Sequence, residues 1–233
     1  MFIEDTIATI GAPTILQFCA QTGDPFLCNL IVRNPVSGDI WRQPNSFVIN
    51  TTNNFGELSA RGVDLGVNYS FDALGGRFAA SLNGSYNLET EFNPLPGVNE
   101  DAIFDCAGVI DPNCGATQPD WRHIASLRYS RDAYTISMRW RHIGKLDYVD
   151  SATGAALTAD ALIRDNGGIG SYNYIDLAGS YSFGQYIEFT LGVNNIFDKE
   201  PPITGSSLAL NGNSPGGYDQ LGRFIFSSIN FKF

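Results

Sequence analysis

Lysine is almost missing from this sequence. The 233 residues include three, and all charged residues together reach 16%, against roughly a quarter in ordinary soluble domains. A surface built from this composition is short of charge somewhere. The net charge of −10 excludes a general nucleic-acid binder. No apolar run approaches the roughly 18 residues that a membrane helix needs, which leaves spanning β-strands untouched because they carry only an alternating signal. The N-terminus, MFIEDTIATIGAPTIL, has no basic n-region, and Glu4-Asp5 interrupts its apolar stretch. It is not a signal peptide, so either the chain stays in the cytoplasm or its true beginning lies outside this sequence. No phosphate loop, Gly-x-Ser-x-Gly elbow or metal-spaced His/Cys set is present, and there are only two histidines. No catalytic, cofactor or metal residue is assigned.

Four cysteines are present, in two close pairs. Cys19 and Cys28 bound "CAQTGDPFLC", and Cys106 and Cys114 bound "CAGVIDPNC". Both stretches read as loops, and two local disulfides suit an oxidising compartment. A zinc site is the rival reading, weakened by the lack of CxxC spacing and of nearby histidine; four unpaired thiols in a cytoplasmic protein are the third.

The strongest signal is period-two alternation. From Arg61, the residues Val63, Leu65, Val67, Tyr69 and Phe71 form one face, and Gly62, Asp64, Gly66, Asn68 and Ser70 the other, which predicts a strand. A short turn over 72–76 leads to a second strand with Phe78, Ala80, Leu82, Tyr86 and Leu88 on its apolar side. Further strands are predicted over 121–130, 134–143, 174–183, 186–194 and 222–233, with a weak one over 2–10. Links at 131–133 and at Gly184-Gln185 are short. Segments 11–45, 90–120, 144–171 and 198–217 read as long loops. Short and long connections therefore alternate, as in outer-membrane barrels with short periplasmic turns and long outer loops.

Alternation does not say which face points inward. Three features favour apolar-out. The polar face is rich in Gly, Ser, Asn and Ala and carries mixed charges: Arg77, Arg122, Arg128, Arg139, Arg141, Asp64, Asp176 and Glu188. Aromatics gather near both ends of the apolar face, like interface girdles. The apolar face also carries no charge between its ends, where Arg or Lys would cost roughly 2–4 kcal/mol. His123, His142 and Arg223 share its parity but sit near the long-loop end. Phe224 and Phe226 point the other way and need something inside to pack against.

"LGVNNIFDKEPP" over 191–202 resembles the penultimate-strand signature of TonB-dependent receptors. "YDQLGRFIFSSINFKF" over 218–233 is similar to their last strand, and "GELSARGVDLGVNYSF" over 56–71 to another recurrent segment. The three occur in family order. The resemblance implies an all-β fold: an antiparallel transmembrane β-barrel with long extracellular loops and short periplasmic turns, located in the outer membrane of a Gram-negative bacterium. It implies uptake of a scarce nutrient such as a ferric siderophore, cobalamin or an oligosaccharide. It implies lipid and lipopolysaccharide as surroundings, the barrel-assembly machinery as a partner reading Phe233, Phe231 and Ile229, and TonB as a partner reached through an N-terminal box. Neither that box nor a plug domain is recognisable here. At about 29 residues per strand, a barrel of about 22 strands would need roughly 640 residues. Residues 1–233 are therefore expected to be the C-terminal portion of a larger barrel, with seven to eight of its strands. Arg122, Arg128, Arg139 and Arg141, on adjacent strands, are expected to face either an anionic ligand or acids of the plug or lumen. An autonomous eight-stranded barrel with a structural or adhesive role is the alternative. An enzymatic barrel is disfavoured, because both histidines fall on the apolar face.

Overall fold

The computed structural model describes residues 1–40, 44–97, 103–110, 114, 117–149, 168–203 and 214–231. Eight strands run through one antiparallel sheet in chain order: β1 (Phe2–Ala8), β2 (Asn53–Ala73), β3 (Gly76–Asn93), β4 (Trp121–Arg131), β5 (Tyr134–Ile143), β6 (Tyr172–Phe183), β7 (Ile187–Asn194) and β8 (Phe224–Phe231). The short strand Phe104–Asp105 pairs with β3 beside this path. The sheet is open among the described residues: β1 and β8 end it without pairing to each other. No described helix is long and apolar enough to cross a membrane, which says nothing about strands.

The register keeps like faces together. Val67, Leu82, Ala125 and Trp140 pair in sequence across β2 to β5, as do Phe71, Phe78, Tyr129 and Ile136. On the other face one rung runs Asp64–Ser85–Arg122–Ile143–Tyr172 and the next Gly66–Asn83–Ile124–Arg141–Tyr174. A one-residue slip anywhere would mix the two faces, so the alternation itself fixes the pairing. At the short-turn end Phe71 stacks on Phe78 at 5.1 Å, and Phe78 lies 4.6 Å from Tyr129. At the long-loop end His123 stacks on His142 at 4.9 Å and meets Trp140 edge-on at 4.4 Å.

Turns and ends differ in detail from expectation. Ala73 pairs with Gly76, so the first turn is the dipeptide Leu74-Gly75, with φ of 54° and 73°. Two positive φ values suit the right-handed twist of a tight hairpin, and the Tyr129 hydroxyl donates to the Leu74 carbonyl at 2.9 Å. The β6–β7 link has three residues rather than two, because Phe183 pairs with Ile187 and Tyr186 falls in the link. β2 begins at Asn53, well before Arg61, and β3 continues past Thr90 to Asn93, since the hairpin extends beyond a register shift at Arg61/Gly62. The last strand is Phe224–Phe231. Residue 233, the expected terminal signal, lies outside the described residues.

The largest correction concerns residues 11–45, expected as a loop. They contain α1 (Ala12–Thr22) and α2 (Pro25–Cys28). The Pro, Gly and Asp that read as loop signals are helix punctuation. Pro13 sits in the first turn, Gly23 closes α1 in the left-handed conformation (φ 65°), and the Asp24 carboxylate caps α2 by accepting from the Phe26 and Leu27 amides. Ile15, Phe18 and Leu27 pack with Ile10 and with Leu95 from beyond β3. Cys19 and Cys28 form a disulfide, Cα–Cα 5.0 Å, and Cys106 and Cys114 another at 5.5 Å. A second loop core joins Ile110, Leu146, Ile169 and Tyr218 over a small sheet of Val109–Ile110, Leu146–Tyr148 and Gly168–Ile169.

Candidate functional site

Asp176 sits on the polar face of β6 with its side chain 6% exposed. Its Oδ2 accepts from Nε of Arg139 at 2.8 Å and Nε of Arg141 at 3.1 Å. Its Oδ1 accepts from Nη2 of Arg141 at 3.1 Å and the backbone amide of Asn195 at 2.8 Å. Those four bonds fill the acceptor capacity of one carboxylate. Arg141 also donates through Nη2 to Oδ2 of Asp219 at 3.0 Å and lies 4.9 Å over the Tyr174 ring. Tyr174 in turn accepts the Asp219 amide at 3.3 Å. Two arginines and two aspartates make this knot formally neutral. It satisfies every charge that burial would otherwise make costly.

The quoted signature explains how the knot is held. Asn195 and Asp198 both adopt positive φ, 49° and 55°, a region that Asn and Asp tolerate better than other side chains. The Asn195 side chain accepts from the Lys199 amide at 2.9 Å and donates to the Lys199 carbonyl at 3.0 Å. Asp198 accepts from the Arg223 amide at 2.8 Å and from its guanidinium at 3.2 Å. These contacts hold the Asp198 carboxyl below its ordinary range, the backbone amide contributing most. Gly222 is required at φ 70°, and a Cβ there would sit 2.9 Å from the Asp198 carboxylate. The segment after β7 is thus tied to the segment before β8, and Tyr218 between them is buried in the second loop core. Burial pushes its phenol well above the usual tyrosine range.

Of the four arginines singled out by sequence, Arg139 and Arg141 meet at one carboxylate. Arg122 and Arg128 do not join them. Both are exposed, and neither side chain has a hydrogen bond or ion pair among the described residues. Asp219 and Asn195 were missed as members of the knot; the clue was their place inside the signature segments. Arg223 pairs with Asp198. Phe226 lies over Gly192, its direct partner in the register, where a Cβ would collide with the ring. This answers what Phe226 packs against.

Arg122 and Arg141 line a cavity of about 470 Å³ on the polar face, with Asp64, Asn83, Tyr174 and Gly217. Among the described residues no group of three or more His, Cys, Asp or Glu could hold a metal ion.

The sequence matches the family model described as TonB dependent receptor-like, beta-barrel, over residues 3–196. The chain belongs to this family. Two solved structures share the barrel fold with it. A mutant of the ferric enterobactin receptor PfeA from Pseudomonas aeruginosa is 19% identical, with a TM-score of 0.52 over 87% of this chain and 26% of that one. The FrpB iron transporter from Neisseria meningitidis is 22% identical, with a TM-score of 0.50 over 87% of this chain and 27% of that one. The chain spans about a quarter of the length of these receptors. No curated protein matches it. In this TonB-dependent receptor chain the knot joins β5 and β6 to the segments after β7 and before β8, and the family match ends at Ile196, within the segment that ties it.

Proposed function

We propose that residues 1–233 are the C-terminal portion of the barrel of an outer-membrane TonB-dependent receptor for a scarce nutrient, with its apolar face toward lipid and its polar face toward the lumen. The observation that carries this reading is the apolar face that continues across β2 to β8 with no Asp, Glu, Lys or Arg between its ends. Its aromatic rows, at Phe78 and Tyr86 on β3, are eight residues apart. That is about 26 Å of strand, or about 20 Å along the normal at a 40° tilt, close to the roughly 25 Å apolar band of such barrels. Short turns at one end and packed, disulfide-bonded loops at the other favour the same orientation. The open sheet disfavours an autonomous eight-stranded barrel.

The cargo class is a ferric siderophore, cobalamin or oligosaccharide; the similarity to a ferric enterobactin receptor and an iron transporter favours the first. TonB would act through a segment outside this sequence. Lipopolysaccharide would meet the outer end of the apolar face, and the barrel-assembly machinery would read the last strand through Phe231, Ile229 and the terminal Phe233. Arg122 and Arg128 are the cations left for ligand or plug, while Arg139 and Arg141 serve the knot. No enzymatic role enters this reading.

The test is fractionation with an antibody against residues 90–120. A band in the outer membrane several times larger than 25.3 kDa is expected. A band at that mass in the membrane would replace the receptor with a small barrel, and a soluble band would overturn both.

A further inference from the structure

At the long-loop end, the connections from β3 to β4, from β5 to β6 and from β7 to β8 meet in one small core. The first supplies Val109–Ile110, and the second supplies Leu146–Tyr148 and Gly168–Ile169. These segments pair as one sheet, and the Asp147 amide donates to the Gly108 carbonyl at 2.9 Å. The third supplies Tyr218, which is 6% exposed and packs with Ile110, Leu146 and Ile169. Its ring meets Tyr172 edge-on at 5.0 Å. The Thr117 hydroxyl ties the first connection to the third, donating to the Gly216 carbonyl at 3.2 Å.

The next residue, Asp219, belongs to the knot on the polar face. Its carboxylate accepts from Arg141 at 3.0 Å, and its amide donates to the Tyr174 hydroxyl at 3.3 Å. Its other oxygen accepts from the Leu221 amide at 3.2 Å. None of these bonds reaches the small sheet. Two adjacent residues therefore join a loop core to the barrel wall. Neighbouring Cα atoms are held about 3.8 Å apart across a trans peptide, so displacing one side chain pulls on the other. The Tyr218 hydroxyl is buried and has no partner among the described residues. The joint thus rests on the ring, because an unpaired buried hydroxyl costs stability rather than adding it.

We propose that Tyr218-Asp219 is a conformational link: the Tyr218 ring makes the three connections one cooperative unit, and the Asp219–Arg141 ion pair seats that ring. Events at the polar face of the barrel wall and at the mouth above it are thereby coupled. The receptor reading enters only in placing that mouth outside the cell.

Hydrogen exchange tests the link, on the native outer-membrane protein carrying this chain, purified in detergent. The reporters are the amides of 109–110, 146–148 and 168–169, with α1 and α2 as the reference beyond the unit. Tyr218→Ala is expected to speed exchange at all three reporters at least tenfold, and Tyr218→Phe to leave them no faster than in the native protein. Asp219→Ala speeds them severalfold although its side chain does not bond to them. Arg61→Gln, which breaks the ion pair with Glu89 on β2–β3, leaves them unchanged and so separates the link from the general cost of a lost ion pair. A Cβ at Gly168 would collide with the Leu146 carbonyl oxygen. Gly168→Ala is therefore expected to loosen 109–110 as well, because coupling runs in both directions. Faster exchange in only one connection of Tyr218→Ala overturns the unit, and so does equal quickening in α1 and α2. Faster exchange in Tyr218→Phe overturns the role of the ring. Reporters unmoved by Asp219→Ala overturn the coupling to the barrel wall, and this variant decides even where Tyr218→Ala fails to insert. A protein found outside the outer membrane overturns the receptor reading instead.

Discussion

Two parts of one hairpin wear opposite dress. Below the register shift at Arg61/Gly62, one side of β2–β3 shows Val63, Leu65, Val67 and Tyr69 opposite Tyr86, Gly84, Leu82 and Ala80. Above it, the same side shows Arg61, Ser59 and Glu57 opposite Glu89, Glu91 and Asn93. Arg61 pairs with Glu89, and Ser59 donates to Glu91. The other side switches in the reverse sense, from Asp64, Asn68 and Ser85 to Leu58, Ala60 and Phe92. Leu88 is the unpaired residue at the shift, a bulge of the kind that re-aims side chains. In the proposed orientation, one continuous strand pair would meet lipid on its apolar side below and water on that same side above, so the surroundings on each side, rather than the strand, would set the pattern.

The largest break in this comparison is a charge in the lower part. Leu127→Arg, between Ala80 and Met138 on the apolar face, is expected to cost about 2–4 kcal/mol, and Glu91→Arg above the bulge within about 0.5 kcal/mol. Urea unfolding of the membrane-embedded native protein measures both, and equal effects would mean that the apolar face does not meet lipid. Replacing Cys19 and Cys28 together by Ser is expected to cost about 2–3 kcal/mol of loop stability. Hydrogen exchange should quicken in α1 and α2 while β4 to β7 stay protected. Loss of protection in those strands would show that loop cap and barrel are one cooperative unit.

Gly192→Ala sharpens the contrast on the inner side. The added methyl meets the Phe226 ring and is expected to cost about 1–3 kcal/mol. Combining it with Phe226→Ala should cost less than the sum of the two single changes, and strict additivity would mean the ring does not rest on Gly192. The smallest effect is on pH. Contact with Arg223 lowers the Asp198 pKa in the folded protein. Its stabilisation is present above the ordinary aspartate range and fades as the pH falls below it through the lowered value. Asp198→Asn should flatten the acid limb of loop protection, and an unchanged limb would assign it to other carboxylates.

By itself, the sequence determined the two faces, the alternation of short and long connections, and the signature segments. Each is written in neighbours one or two residues apart, and a strand's period of two exposes it directly. The long-loop helices α1 and α2 stayed hidden, because Pro13, Gly23 and Asp24 serve loops and helix caps equally; burial of Ile15, Phe18 and Leu27 against Leu95 decides between them. The knot at Asp176 was half legible. Arg139 and Arg141 stood out as polar-face cations, but their common partner is 35 to 37 residues away, and Asp219 is 78 residues from Arg141. Only strand register brings such groups within hydrogen-bond distance. Which arginine is neutralised and which is left facing the cavity was therefore decided by the tertiary structure, because charge pairing depends on distance in space and alternation reports only position along the chain.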